Sequence, residues 1–325
     1  MGSWYLNFNV IHCPSMIKCC WGQKSHAACG IVTFDLNIMK FAGGLFMRVT
    51  YFGTTTLLFD DGIDQIMFDC HVTRPSLCRY LFGKLSTDEV VADRVIREFH
   101  IDRLRGIFIS HSHHDHVLDA PYFARRCNAN LYGSSSTLNV ARGGGVPEAT
   151  LFSFQDHMEY EVGDFTIRVL PSVHSKPHWY NDDLGQTIDH PVIQPAKKSA
   201  FKEGGSFDFY LTHRGKHYLI RPSYNFLEGQ LDGFDTDVLF LGISGFSRDG
   251  RVRQDSFFRE TIDKTSPSLV IPLHWDNFFL PLYGKIKGLP RVADHTEKSI
   301  SILHDECSRR NIQSIVLQPL AFMEV

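Results

Sequence analysis

The sequence feature that most constrains this chain is one polar stretch, Ser110-His111-Ser112-His113-His114-Asp115-His116. It follows an apolar run, Leu104 to Ile109, which predicts a buried strand, so the stretch is a loop at the end of a sheet. A solvated polar loop is the alternative interpretation and would suit a lone histidine. Here the pattern is His-x-His-x-Asp-His, and crowded imidazoles with a carboxylate are ligands that zinc prefers. We therefore predict a metal site, with the candidate ligands His111, His113, Asp115 and His116.

Two later histidines also follow predicted strands. The run Thr166 to Leu170 leads to His174, and the run Leu269 to Leu273 leads directly to His274. His111 and His113 are two residues apart on an extended loop and can reach one ion, while the turn that carries Asp115 and His116 can face a neighbouring ion. Every candidate ligand thus lies at a strand end, along one edge of a sheet. The predicted groups are His111, His113 and His174 for one ion, and Asp115, His116 and His274 for another.

A predicted β-meander begins at Arg48 and ends at an aspartate. Arg48 to Phe52, Thr55 to Phe59 and Gln65 to Phe68 are short β-rich runs separated by turn residues. Asp69 directly follows the third run. A carboxylate just past a buried strand is either a turn residue or a functional group, and both interpretations stay open on this pattern alone.

The rest of the chain alternates irregularly between helical and β-rich segments. Helices are predicted from Ser86-Thr87-Asp88-Glu89, a capping-box pattern, and from an Asp119 cap to about Cys127. Further helices are predicted at 255–264 and 294–309, and Ile315 to Leu317 is predicted to be a closing strand. Residues 175–205 have weak periodicity and predict a long loop over the site. This order indicates one α/β domain.

Composition limits the function classes. Hydrophobic residues make up 43% and charged residues 21% of 325 residues, enough for a large core. The formal net charge of −3 implies no general attraction to nucleic acid, so we expect a small-molecule substrate and no nucleic-acid partner. The 8 cysteines show no paired CxxC spacing, which favours a reduced, cytoplasmic protein. A run of about 18 apolar residues is absent, so no membrane span is expected.

Residues 1–46 differ from the remainder. They lack the basic and apolar segments of a secretory signal. We expect this extension to reflect a mis-annotated start, with Met47 or Met39 as the natural first residue, or to be poorly ordered. The folded domain is accordingly predicted to span residues 47–325.

The ligands, in this order, resemble those of the metallo-β-lactamase superfamily. The resemblance covers about residues 48–325, and Asp69 matches the family's acidic residue after an early strand. It implies an α/β fold, an αββα sandwich of two mixed β-sheets flanked by helices. Val49-Thr50-Tyr51-Phe52-Gly53-Thr54 and Ile271-Pro272-Leu273-His274-Trp275 are similar to the ascorbate-phosphate-lactonase-like and phospholipase-D-like branch. His113 stands where the flavodiiron branch has a glutamate, which implies zinc or manganese rather than a di-iron centre.

The resemblance implies a metal-dependent hydrolase in which a zinc-bound hydroxide cleaves an ester, lactone or phosphodiester bond. Asp69 and Asp115 are the expected catalytic carboxylates, and His178 and Tyr180 of the long loop are expected to contact substrate. Ser223 falls where the family often has an aspartate bridging both metals. One or two Zn²⁺ ions per chain are therefore expected, with Mn²⁺ as an alternative and the second ion bound more weakly.

Two other functions stay open on these patterns. One is a metallo-nuclease acting on RNA or DNA, which shares the metal motif. The other is a degenerate metal-binding protein, in which loss of the bridging aspartate at Ser223 has abolished catalysis. Less than one zinc or manganese ion per chain, with no rescue by added metal, would exclude the hydrolase and the nuclease and leave only a non-enzymatic binding protein.

Overall fold

The computed structural model describes residues 47–155, 157–176 and 182–325. The extension 1–46 and the expected substrate contacts His178 and Tyr180 lie outside the described residues, so these predictions stand as they were made.

Two seven-stranded sheets make up the β structure of the described chain. The strands are β1 (Arg48–Gly53), β2 (Thr56–Asp60), β3 (Gln65–Phe68), β4 (Leu104–Phe108), β5 (Asn130–Gly133), β6 (Leu151–Ser153), β7 (Glu159–Val162), β8 (Phe165–Ser172), β9 (Ser206–His213), β10 (Lys216–Arg221), β11 (Val238–Gly242), β12 (Leu269–Leu273), β13 (Gln313–Ser314) and β14 (Ala321–Glu324). The order is β14-β1-β2-β3-β4-β5-β6 in the first sheet and β13-β12-β11-β10-β9-β8-β7 in the second. Each sheet is antiparallel on one side and parallel on the other, so both are mixed, as predicted.

Helices cover the outer faces of the sheets. They are α1 (Leu77–Phe82), α2 (Glu89–Glu98), α3 (His114–Val117), α4 (Ala120–Cys127), α5 (Ser135–Gly143), α6 (Arg251–Phe258) and α7 (Thr296–Arg309). The helix predicted after Ser86 is α2, and Asp88 is its N-cap because its carboxylate accepts from the amides of Val90 and Val91. The predicted αββα sandwich is therefore confirmed.

Alternation along the strands produces two apolar layers. On β2 and β3, Phe59 and Phe68 face the other sheet, whereas Leu58 and Met67 face the helices. The Phe59 ring meets Tyr218 of the second sheet at 5.6 Å between centroids, in an edge-to-face arrangement. Such pairs add about 0.5–1.5 kcal/mol beyond the buried area, so they help to fix how the sheets stack.

Two predicted local features are wrong, and a third differs only in where it begins. Residues 315–317 are not a strand, because the chain leaves the second sheet there and crosses to pair β14 with β1. The helix predicted at 255–264 is present, but it begins earlier, at Arg251, and includes a π-helical turn, Arg259–Asp263. Asp119 does not cap α4 with its side chain; its carboxylate instead accepts from the amides of Val72 and Thr73.

The strand ends carry the polar residues singled out from the sequence. In the first sheet, β3 leads to Asp69, and its parallel neighbour β4 leads to the histidine-rich loop. In the second sheet, β8 leads to His174 and β12 to His274. The sandwich thus brings segments distant in sequence to one rim.

Candidate metal centre

The six predicted ligands come together as two groups of three. Within each group, the candidate ligand atoms all lie within 4.8 Å of one another. We call them the first group (His111, His113, His174) and the second group (Asp115, His116, His274). The groups adjoin, since the ring centroids of His111 and His116 are 3.8 Å apart.

The first group is a triangle of imidazoles. Its three ring centroids are separated by 4.8 Å on every side. Burial lowers the pKa of His174 to about 3 and holds the pKa of His111 well below its ordinary value. Repulsion from the neighbouring histidines is a second, smaller cause that acts in the same direction. The His111 and His174 rings are therefore neutral near pH 7, which is the form that binds metal ions.

Hydrogen bonds select one nitrogen of each ring in the first group. His111 Nδ1 lies 3.1 Å from Ser110 Oγ, and His174 Nδ1 lies 2.9 Å from the Ser175 carbonyl oxygen. His113 Nε2 lies 3.0 Å from Asp183 Oδ1. The opposite nitrogen of each ring is left for an ion.

The second group contains its own carboxylate. Asp115 Oδ2 lies 3.5 Å from His274 Nε2 and 3.8 Å from His116 Nε2. Burial favours the protonated acid, but His116 and His114, with the His274 hydrogen bond, outweigh it and hold the pKa of Asp115 well below its usual value. An ionised carboxylate beside two imidazoles is a donor set suited to Zn²⁺ or Mn²⁺.

Asp69 contacts the second group through a hydrogen bond to His116. Its side chain is fully buried, and Oδ2 lies 2.7 Å from His116 Nδ1. Thr55 donates to Oδ2 at 2.5 Å, and Ser110 donates to the carboxylate through its amide and its hydroxyl. With these contacts, Asp69 orients the His116 ring so that Nε2 faces the group. Thr55 and Ser110 were not expected here; their only sequence signal is their place beside a strand end.

A buried ion pair supports the turn that carries His274. Arg74 Nη2 contacts Asp276 Oδ2 at 2.7 Å, and both side chains are almost fully buried. Asp276 Oδ1 accepts from the Thr54 amide at 2.8 Å, and the Thr54 carbonyl accepts from the His274 amide at 2.6 Å. Gly53 has a φ of +93°, and a Cβ there would lie 1.6 Å from Arg74 Nη2, so a larger residue is excluded.

Ser223 is not a member of either group. It is buried, and the residues after it lie against the His174 loop. The Tyr224 amide donates to Ser175 Oγ at 3.1 Å, and Asn225 Nδ2 donates to the His174 carbonyl at 2.6 Å. The segment that in the family often supplies a bridging aspartate therefore contacts the first group here through its backbone and Asn225.

The donor set fits divalent metal ions. The Nε2 atom of His111 and the Nδ1 atom of His274 are buried and have no hydrogen-bond partner within the described residues. Buried polar atoms are normally satisfied, so an orphaned imidazole nitrogen at a cluster of ligands indicates a missing partner. A cation at the first group would satisfy His111.

Comparison with known proteins agrees with this geometry. Residues 86–240 match the family model of the metallo-beta-lactamase superfamily. A metal-dependent hydrolase from Carboxydothermus hydrogenoformans is 22% identical over 237 residues, which cover 71% of this chain and 86% of that protein. A metallo hydrolase from the archaeon Ignicoccus hospitalis has a similar structure, with a TM-score of 0.53, 17% identity and coverage of 86% of this chain and 99% of that chain. Human tRNase Z, short form, has a TM-score of 0.50 and 11% identity, over 85% of this chain and 98% of that chain.

Residues 86–240 belong to the metallo-beta-lactamase superfamily, and the described residues have the fold of this superfamily. Among the described residues, none of the helices is both long and apolar enough to cross a bilayer.

Proposed function

We propose that the chain is a metal-dependent hydrolase that cleaves an ester, lactone or phosphodiester bond, using Zn²⁺, or Mn²⁺ in its place, held by the first and second groups. The observation that carries the proposal is the convergence of six ligands from three strand ends into two adjoining groups. A bound divalent ion supplies Lewis acidity and makes water nucleophilic near neutral pH.

The chain's own residues have distinct tasks in this proposal. Asp69 holds the proton of His116 at Nδ1, so that Nε2 stays available as a ligand. Asp115, ionised and 3.5 Å from His274, lies where it can orient the attacking water as well as bind an ion. The walls around the groups are buried, which strengthens electrostatic interactions with a developing oxyanion.

Positive charge near the site favours an anionic or polar substrate. Lys198 Nζ lies 4.5 Å from the centre of the Tyr80 ring, and that ring lies 4.9 Å from the ring of His114. His114 adjoins Asp115 in the loop of residues 110–116, which we call the metal loop, so two rings separate the ammonium group from the site. A phosphodiester substrate would be attracted to it, and so would the carboxylate that hydrolysis of a lactone produces.

The test is hydrolysis by the metal-loaded protein of a panel of lactones, carboxylic esters and phosphodiesters. Metal content is measured on the same samples by mass spectrometry. We expect one or two zinc or manganese ions per chain and turnover of at least one class, both removed by a chelator and restored by added metal. Protein with less than one ion per chain and no rescue by metal would contradict the proposal.

A structured RNA belongs in the same panel. Human tRNase Z shares the fold, and a metallo-nuclease would use the same two groups. RNA cleavage without turnover of the small substrates would replace the ester, lactone or phosphodiester assignment by the nuclease one. Metal binding without any turnover would favour the degenerate binding protein.

A further inference from the structure

Asp183 is a charged residue of the long loop that reaches the first group. Its Oδ1 lies 3.0 Å from His113 Nε2, and both side chains are mostly buried, with exposed fractions of 14% and 7%. The two residues are 70 positions apart in sequence, so only the fold brings them together. The adjacent Asp182 is exposed.

We infer that Asp183 is a positioning residue of the first group, which holds the His113 ring with Nδ1 facing the ion. Because a carboxylate accepts only, His113 must carry its proton at Nε2 when the two are bonded. The unprotonated nitrogen is then Nδ1. A negative acceptor also makes the imidazole a stronger ligand. This inference rests on the proposed metal site and adds a residue from a different segment to it.

Glu203 fastens the loop that carries Asp183 to the metal loop. It is buried, its Oε2 accepts from the Gly185 amide at 2.9 Å, and its carbonyl accepts from the Ser112 amide at 2.9 Å. Ser112 lies between two ligands of the first group, and Gly185 lies two residues after Asp183. The side chain and the backbone carbonyl of Glu203 therefore hold the two segments that carry Asp183 and His113.

Gly204 shows how closely these two segments are packed. Its φ is +70°, and a Cβ on it would lie 2.4 Å from Ser136 Cβ and 2.8 Å from Ser112 Oγ. The close approach requires glycine in this conformation. The segment at Glu203 and Gly204, which anchors the loop of Asp183, is thus packed against the metal loop.

Charge gives Asp183 a second effect on the first group. The three ligands of this group are imidazoles, which carry no negative charge, and Ser223 adds none where the family often has an aspartate. Asp183 places a carboxylate one ring away from the ion, which offsets part of its positive charge. Its contribution is electrostatic and acts through His113.

The experiment measures Zn²⁺ affinity by competition with a chelator for the full chain and three variants. D183L removes acceptor and charge, D183N keeps an acceptor oxygen but removes the charge, and D182N is the matched control at an exposed neighbour. We expect D183L to weaken one of the ions by about 10–100-fold, as loss of an outer partner of a metal-bound histidine does. D183N should lose less, and D182N should match the wild type.

Spectroscopy of the Co²⁺-substituted proteins separates positioning from general stability. D183L should change the visible absorption bands of cobalt, because the His113 ring is no longer fixed, while thermal unfolding of the metal-free protein stays close to that of the wild type. E203Q should reproduce part of the D183L effect, since it weakens the anchor of the same loop. D183L with wild-type affinity and wild-type bands, or D182N with an equal loss, would overturn the inference.

These results are distinguishable from failure of the proposed function. Normal metal binding without hydrolysis of any substrate contradicts the proposed function but leaves the role of Asp183 supported by the binding data. A wild-type chain that binds no metal overturns both.

Discussion

The two ligand groups are supported in different ways. The second group rests on strand ends: Asp69 follows β3, His274 follows β12, and fully buried partners hold both. The first group depends more on loops, because His174 is held by the Ser175 carbonyl and His113 by Asp183. A rim built this way has one rigid half and one half whose geometry depends on the long loop.

The groups also differ in charge. The second group has the carboxylate of Asp115 as a ligand, whereas the first has three imidazoles. Carboxylate and imidazole donors both suit zinc, but each carboxylate offsets a unit of charge. Variants that remove a ligand, a support or a charge in one group should therefore affect that group first.

The largest effect is expected from H113A. It removes a ligand of the first group and should abolish binding of that ion, with activity falling more than about 1000-fold, since even outer partners of metal ligands are worth 10–100-fold. The measurements are metal stoichiometry and turnover of the best substrate. H190A, at an exposed histidine, is the control and should keep both. Full metal content in H113A would contradict the assignment of the first group.

D276N should damage the support of the second group. The Arg74–Asp276 pair is buried, and breaking such a pair costs about 3–5 kcal/mol of the free energy of unfolding, because the remaining charge is unpaired. Denaturant unfolding measures this loss. D255N removes half of an exposed pair, Arg251–Asp255, and should cost no more than about 1 kcal/mol. Equal losses in the two variants would mean that the buried pair has no special role.

Much of the rim could be predicted from the sequence, because ligand identity and strand ends are local signals. The pattern of His111 to His116 indicates which residues could be metal ligands. The apolar runs before Asp69 and His274 indicate the edge of the sheets on which these residues lie. The structure brings the six side chains together as two groups, and their role as metal ligands stays a prediction. The assignment of catalytic roles to Asp69 and Asp115 stays a prediction.

The supports could not be predicted in the same way. Thr55 and Ser110 are ordinary hydroxyl residues, and only the pairing of β2, β3 and β4 brings them to Asp69. His213, the last residue of β9, is buried and lies 3.1 Å from Asp61 Oδ2. Such contacts depend on tertiary packing, for which a single sequence contains no periodic signal.

D69N should produce a smaller and more selective loss than H113A. The amide can donate as well as accept, so it no longer fixes the His116 proton at Nδ1. We expect the affinity of the second ion to fall by about 10–100-fold, with the first ion retained. Titration of the metal-free protein with Zn²⁺ gives the two affinities, and D102N at an exposed aspartate serves as the control. A loss confined to the first ion would reverse the assignment of Asp69.

S223D is the mildest change and the only one expected to strengthen binding. It restores a carboxylate at a buried position next to the His174 loop, where the family often has a bridging aspartate. The second ion should bind about tenfold more tightly, which corresponds to about 1.4 kcal/mol. The gain is no larger because desolvation of the new carboxylate cancels much of its Coulomb attraction to the ion. S223N, similar in size but neutral, should give no gain in a Zn²⁺ titration. Unchanged stoichiometry and affinity in S223D would show that Ser223 does not occupy the bridging position, and the contrast between the groups would then rest on Asp115, Asp69 and Asp183.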